Sequence, residues 1–117
     1  MINANLEQFL DNGWYNEATL FYKGHTYWCE GCYNRSKDNP FHFWVYRYKS
    51  ILVKEKNGKT WSKREIKDDD VADFSTVFEI WTKSEEDAKE LFLQAAIFDG
   101  KSFWEIEEEL AWYDETN

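Results

Sequence analysis

The sequence predicts an α+β domain: an antiparallel β-meander of about five strands, with one N-terminal and two C-terminal helices packed on one face. Three observations carry that prediction. Apolar residues recur every three to four positions at both ends of the chain and every two in the middle. An Asn57-Gly58 pair lies between two strand-like runs, a strong local hairpin signal. The resulting order, α-β-β-β-β-β-α-α, argues for strands that pair with their neighbours and for helices that share a layer. At 117 residues and 14.2 kDa, the chain fits one domain, 1–117.

Taken in order, the first helix runs roughly from Asn5 to Asn12. Leu6, Phe9 and Leu10 make its apolar side, and Gly13 is its expected stop. The period then shortens to two. Thr19-Leu20-Phe21-Tyr22 and Thr26-Tyr27-Trp28-Cys29 are β-branched and aromatic runs around Lys23-Gly24-His25, which reads as a hairpin. Asn34 to Pro40 is a polar loop.

Phe41 to Lys49 is the most strand-like segment. Phe41, Phe43 and Val45 project to one side, and His42, Trp44, Tyr46 and Tyr48 to the other. Large rings on both faces predict a central strand. Ile51-Leu52-Val53 leads into Asn57-Gly58 and Lys59-Thr60-Trp61, the second hairpin, and Lys67-Asp68-Asp69-Asp70 is a solvated connection. Val77 to Thr82 supplies the last strand.

Ser84 is the expected N-cap of the next helix, with Asp87 three residues on. Ala88, Leu91, Phe92 and Ala95 trace its inward stripe, and Asp99-Gly100 ends it. Ser102 with Glu105 matches a capping box. Phe103, Ile106, Leu110 and Tyr113 are then the buried stripe of a final helix.

Charge is spread unevenly. Residues 1–66 hold ten Lys/Arg against seven Asp/Glu, whereas 67–117 hold four against sixteen, for a net charge of −9. Aromatic residues make up 20% of the chain, including seven Trp. No apolar run approaches the ~20 residues a membrane helix needs. The opening MINANLEQFLDNGW lacks a basic stretch followed by an apolar core, so a cytoplasmic location and no membrane partner are expected.

Catalytic patterns are missing. The sequence holds no Gly-x-Ser-x-Gly, no Gly-rich phosphate loop and only two histidines. The glutamates crowd one short stretch, where most face water and gain no contrast in pKa. No enzyme and no cofactor are expected. Cys29-Glu30-Gly31-Cys32 is half of a zinc-site pattern that His25 and His42 would complete. Lacking a second Cys-x-x-Cys, the pair reads instead as two reduced thiols, so no metal is assigned.

Two surfaces remain. The FHFWVYRYK strand, with Arg47, Lys49, Lys54 and Lys56 nearby, has the ingredients of a stacking platform for single-stranded nucleic acid. The acidic C-terminal half opposes a phosphate backbone, so the rings read first as core and no direct nucleic-acid partner is expected. The second surface is acidic: Glu85, Glu86, Asp87 and Glu90 on one helix, and Glu105, Glu108 and Glu109 on the next, with Glu107, Asp114 and Glu115 close by. Carboxylates spaced along a helix approach the charge density of a nucleic-acid backbone and suit a Lys/Arg groove built for phosphates. Trp104 and Trp112 are the expected aromatic anchors of such an interface.

The segment Ile97-Phe98-Asp99-Gly100-Lys101-Ser102-Phe103-Trp104-Glu105-Ile106-Glu107-Glu108-Glu109-Leu110, together with the size, acidity and Trp/Tyr content, resembles small proteins carried by phages and mobile elements of low-GC Gram-positive bacteria. Some of these, the anti-CRISPR proteins, inhibit RNA-guided nucleases by presenting acidic surfaces to basic channels. The resemblance implies a non-enzymatic inhibitor or decoy acting in the bacterial cytosol on a basic nucleic-acid-handling protein. It transfers no catalytic residue and no common fold. An immunity or antitoxin partner of a nuclease toxin is the alternative of similar physics, and a sheet-based binder of single-stranded nucleic acid is the alternative of a different class.

Overall fold

The computed structural model describes residues 1–2, 5–54, 60–64 and 75–113. Helix α1, Leu6–Asp11, is capped by Asn5, whose side chain accepts from the Gln8 N–H at 3.1 Å. A 3-10 turn, Gly13–Tyr15, follows and inserts Trp14 into the core. Strands β1, Ala18–Tyr22, and β2, His25–Tyr33, form the first hairpin. Its two-residue turn has Lys23 at φ 48° and Gly24 at φ 80°. Positive φ at both positions gives the twist that hairpin strands require, so Gly24 alone supplies the signal that an Asn-Gly would have given.

Strand β3, Phe41–Lys54, is central, as its two-sided aromatic pattern predicts. It pairs with β2 along one edge, from Lys49 opposite His25 to Phe41 opposite Tyr33. Its other partners are β4, Thr60–Arg64, and β5, Ser75–Thr82, with a register shift between Val45 and Tyr46 on the β5 side. The six-stranded order is β4-β3-β2-β1-β6, with β5 also on β3. β4 comes to lie against β1 and β6, so the sheet coils strongly on itself. The Asn57-Gly58 turn and the Lys67 to Asp70 connection lie outside the described residues.

The C-terminal elements are α2, Glu85–Gln94, and α3, Phe103–Ile106, followed by a 3-10 turn, Glu107–Glu109, and strand β6, Ala111–Tyr113. Three expectations change here. The last helix is one turn, not three: after Leu110 the backbone extends, and Ala111 to Tyr113 pair with Phe21 to Thr19 of β1. Filling a sheet edge while burying Trp112 outweighs the helix propensity of a Glu-rich stretch. On α2 the inward residues are Ala88, Phe92 and Leu93, whereas Leu91 is 52% exposed. Leu93 takes the inward place that Leu91 leaves, and Lys89 donates from Nζ to the Leu10 carbonyl at 3.2 Å. Asp99-Gly100 does not end α2. With φ 55° and 81°, it forms a tight turn that brings Phe98 opposite Lys101.

The core lies between one face of the sheet and the helices. Leu20, Tyr22, Tyr27, Cys29, Phe41, Phe43 and Val45 meet Phe9, Trp14, Phe92, Phe98, Phe103 and Ile106. Trp14 sits among rings, 4.9 Å from Phe43 and 6.1 Å from Phe92 between centroids, and Phe9 stacks on Phe103 at 5.4 Å and 8°. Ten aromatic residues are therefore buried in this core, where each ring buries roughly 150–250 Å².

Candidate functional site

The acidic corner is built from the capping box upward. Ser102 is the N-cap of α3, and its own N–H donates to Glu105 Oε1 at 3.0 Å. Those contacts with Ser102 hold the Glu105 carboxyl below its usual range. Phe103 and Ile106 plug into the core, and Leu110 does the same four residues on. The residues between the plugs have only one direction left: Trp104, Glu105, Glu108 and Glu109 point to solvent, and Glu107 is half-buried. Trp104 to Glu109 line an open hollow of about 440 Å³, with Trp104 52% exposed.

Not every carboxylate is free for a partner. The Tyr33 hydroxyl donates to Glu85 Oε1 at 2.7 Å, Glu86 lies 3.4 Å from Lys89, and Glu107 lies 3.2 Å from the Met1 amino group. Asp87, Glu90, Glu108 and Glu109 are exposed and make no ion pair among the described residues. Asp114 and Glu115 lie outside the described residues. Trp112 is not an exposed anchor. It is 5% exposed, opposite Leu20 in the sheet and edge-on to Phe9 at 5.4 Å. The continuous acidic helix face is replaced by two short clusters, one on the first turns of α2 and one around Trp104.

The zinc set does not converge. Residues three apart on a strand face opposite ways, so Cys29 is buried in the core and Cys32 is exposed. Burial pushes the Cys29 thiol up, away from the thiolate a metal binds. His42 stands opposite Cys32, but His25 is at the far end of β2 opposite Lys49. Its ring lies within 3.1 Å of Arg47. Among the described residues, no group of three or more His, Cys, Asp or Glu is placed to hold a metal ion.

The stacking platform is also divided. On the sheet face away from the helices, His42 lies flat on Trp81 at 4.0 Å and 1°, with Trp44 4.6 Å from His42. Trp28 stands opposite Tyr46 on the same face. Arg47 and Lys49 alternate to the other face of β3. The charged residues that accompany the rings are Glu30 and Glu79, both opposite Trp44, and Glu79 Oε2 lies 2.8 Å from His42 Nε2. Carboxylates beside the rings repel phosphates.

No protein-family model matches the chain, and neither a curated protein nor a solved structure matches it. Among the described residues, no helix is long and apolar enough to cross a membrane.

Proposed function

We propose that the chain is a non-enzymatic inhibitor or decoy that docks on the basic nucleic-acid-binding surface of a partner, an RNA-guided nuclease being the class its sequence character suggests. One observation carries the reading: a half-exposed Trp104 held on a capped, core-anchored turn, beside a hollow walled by Glu105, Glu107, Glu108 and Glu109. A large ring on a rigid support is the usual centre of an interface, and charge around it steers a basic partner. The short acidic clusters favour a tryptophan anchor with a charged rim over a long imitation of duplex DNA.

The test is binding of the full chain to a panel of basic nucleic-acid-handling proteins, an RNA-guided nuclease among them, across a salt series. Affinity should fall steeply as salt rises, and Trp104→Ala and the pair Glu108→Lys, Glu109→Lys should each weaken it. No binding to any member, or binding indifferent to salt and to these variants, removes the proposal. The same surface would serve an immunity partner of a nuclease toxin. Rescue of growth on co-expression with the toxin separates that role.

A further inference from the structure

Arg47 makes no ion pair among the described residues. It stands on the core-facing side of β3, half-buried and opposite Tyr27 of β2. His25 is two residues from Tyr27 on the same side of β2, and Tyr22 faces His25 across the hairpin. These four side chains share one corner of the sheet, and the rings of Tyr27 and Tyr22 lie 4.7 and 6.5 Å from Phe98.

A guanidinium offers five N–H donors and accepts nothing. Arg47 Nη2 lies 3.1 Å from His25 Nε2, and His25 Nδ1 lies 3.3 Å from the Lys23 carbonyl. No carboxylate comes within ion-pair distance of Arg47 among the described residues. Its Nε is buried without an acceptor, and so is the Tyr22 hydroxyl. Among the described residues, this corner holds a half-buried guanidinium that makes no ion pair. Lys49, opposite His25, and Lys23, whose Nζ lies 5.3 Å from the Tyr22 ring centroid, add positive charge, and Glu109 and Asp99 lie near enough to Lys23 to act on it. Asp99 is near enough to act on Tyr27 but makes no ion pair with Arg47.

We infer that this corner binds a small tetrahedral oxyanion of the phosphate type, gripped by the Arg47 guanidinium and the Tyr22 hydroxyl and drawn in by Lys23 and Lys49. The two unsatisfied donors come from β1 and β3, on either side of β2. They therefore call for acceptors that diverge, as phosphate oxygens do. This inference does not rest on the role proposed for the acidic corner around Trp104, although Glu109 of that corner lies near Lys23.

Calorimetric titration of the full chain with inorganic phosphate, against acetate and chloride at matched ionic strength, tests it. Phosphate should bind at least about tenfold tighter than acetate, and Tyr22→Phe should weaken it by about tenfold. Arg47→Gln should abolish binding. Tyr22→Phe removes only an unpartnered hydroxyl, so it remains informative if Arg47→Gln fails to fold. In the wild-type chain the Arg47 Nε–Hε resonance should also move on phosphate addition. Phosphate binding no tighter than acetate or chloride, an unmoved Arg47 resonance, or unchanged affinity in Tyr22→Phe would each overturn the assignment.

Discussion

Gly13 and Trp112 are in contact where no side chain fits between them. A Cβ on residue 13 would stand 2.6 Å from Cζ2 and 2.7 Å from Cη2 of the Trp112 indole. Trp112 cannot retreat, because it is wedged against Phe9 and fixed by the pairing of β6 with β1. Gly13→Ala should therefore destabilise by about 1–3 kcal/mol in urea unfolding. Gly24→Ala has open space around it and only its positive φ to resist, so about 1 kcal/mol is expected there. A double-mutant cycle with Trp112→Phe should show coupling at Gly13 and none at Gly24.

The two cysteines should separate in a thiol-labelling experiment. Cys32 is exposed and should react with a maleimide under native conditions, whereas Cys29 should react only as the protein unfolds. Cys29→Ser would place a hydroxyl inside an apolar layer and cost about 1–3 kcal/mol. Equal labelling rates for both thiols would contradict the assigned faces of β2.

An alkaline limit to stability comes from Tyr33. Its hydrogen bond to Glu85, with burial second, pushes its pKa from 10.0 up to about 12. The folded state then holds a proton that the unfolded state has released. Its contribution is complete below pH 10 and is lost as pH climbs towards about 12. Ultraviolet titration should find this phenol among the last to ionise, and Glu85→Gln should bring it back towards the ordinary tyrosine range.

Trp14 and Trp104 offer the clearest contrast between stability and recognition. Trp14 is 1% exposed at the centre of the aromatic core, and Trp14→Ala should cost about 3–5 kcal/mol. Trp104, 52% exposed, should change stability by less than about 0.5 kcal/mol when replaced by Ala. If Trp104→Ala unfolds the protein, its exposure serves structure and not a partner.

The class of fold, the first hairpin, the central strand and the inner face of Phe41, Phe43 and Val45 were readable because period-two alternation and cap chemistry act locally. Trp112 was not. Its segment has helical spacing, and only the unfilled edge of β1, distant in sequence, turns it into a strand. The outward turn of Leu91 likewise depends on tertiary packing, which buries Leu93 in its place. At the candidate site, Trp104 and the glutamates could be read from Ser102 and Glu105. That Glu85 is tied to Tyr33, 52 residues away, could not. Adjacency in sequence groups Arg47 with the rings of Trp44, Tyr46 and Tyr48, but alternation along β3 sends Arg47 to the opposite face.

The short strand Ala111–Tyr113 has a consequence for biogenesis. Until residue 113 has cleared the ribosome, β1 keeps an open edge and the pocket over Gly13 has no lid, so a nascent chain halted at Leu110 would carry both an aggregation-prone border and a hole in its interior. A truncation after Leu110, which spares α1, α2 and α3 yet removes residues 111–117 and with them β6, should therefore be recovered as inclusion bodies, not as a slightly weakened monomer.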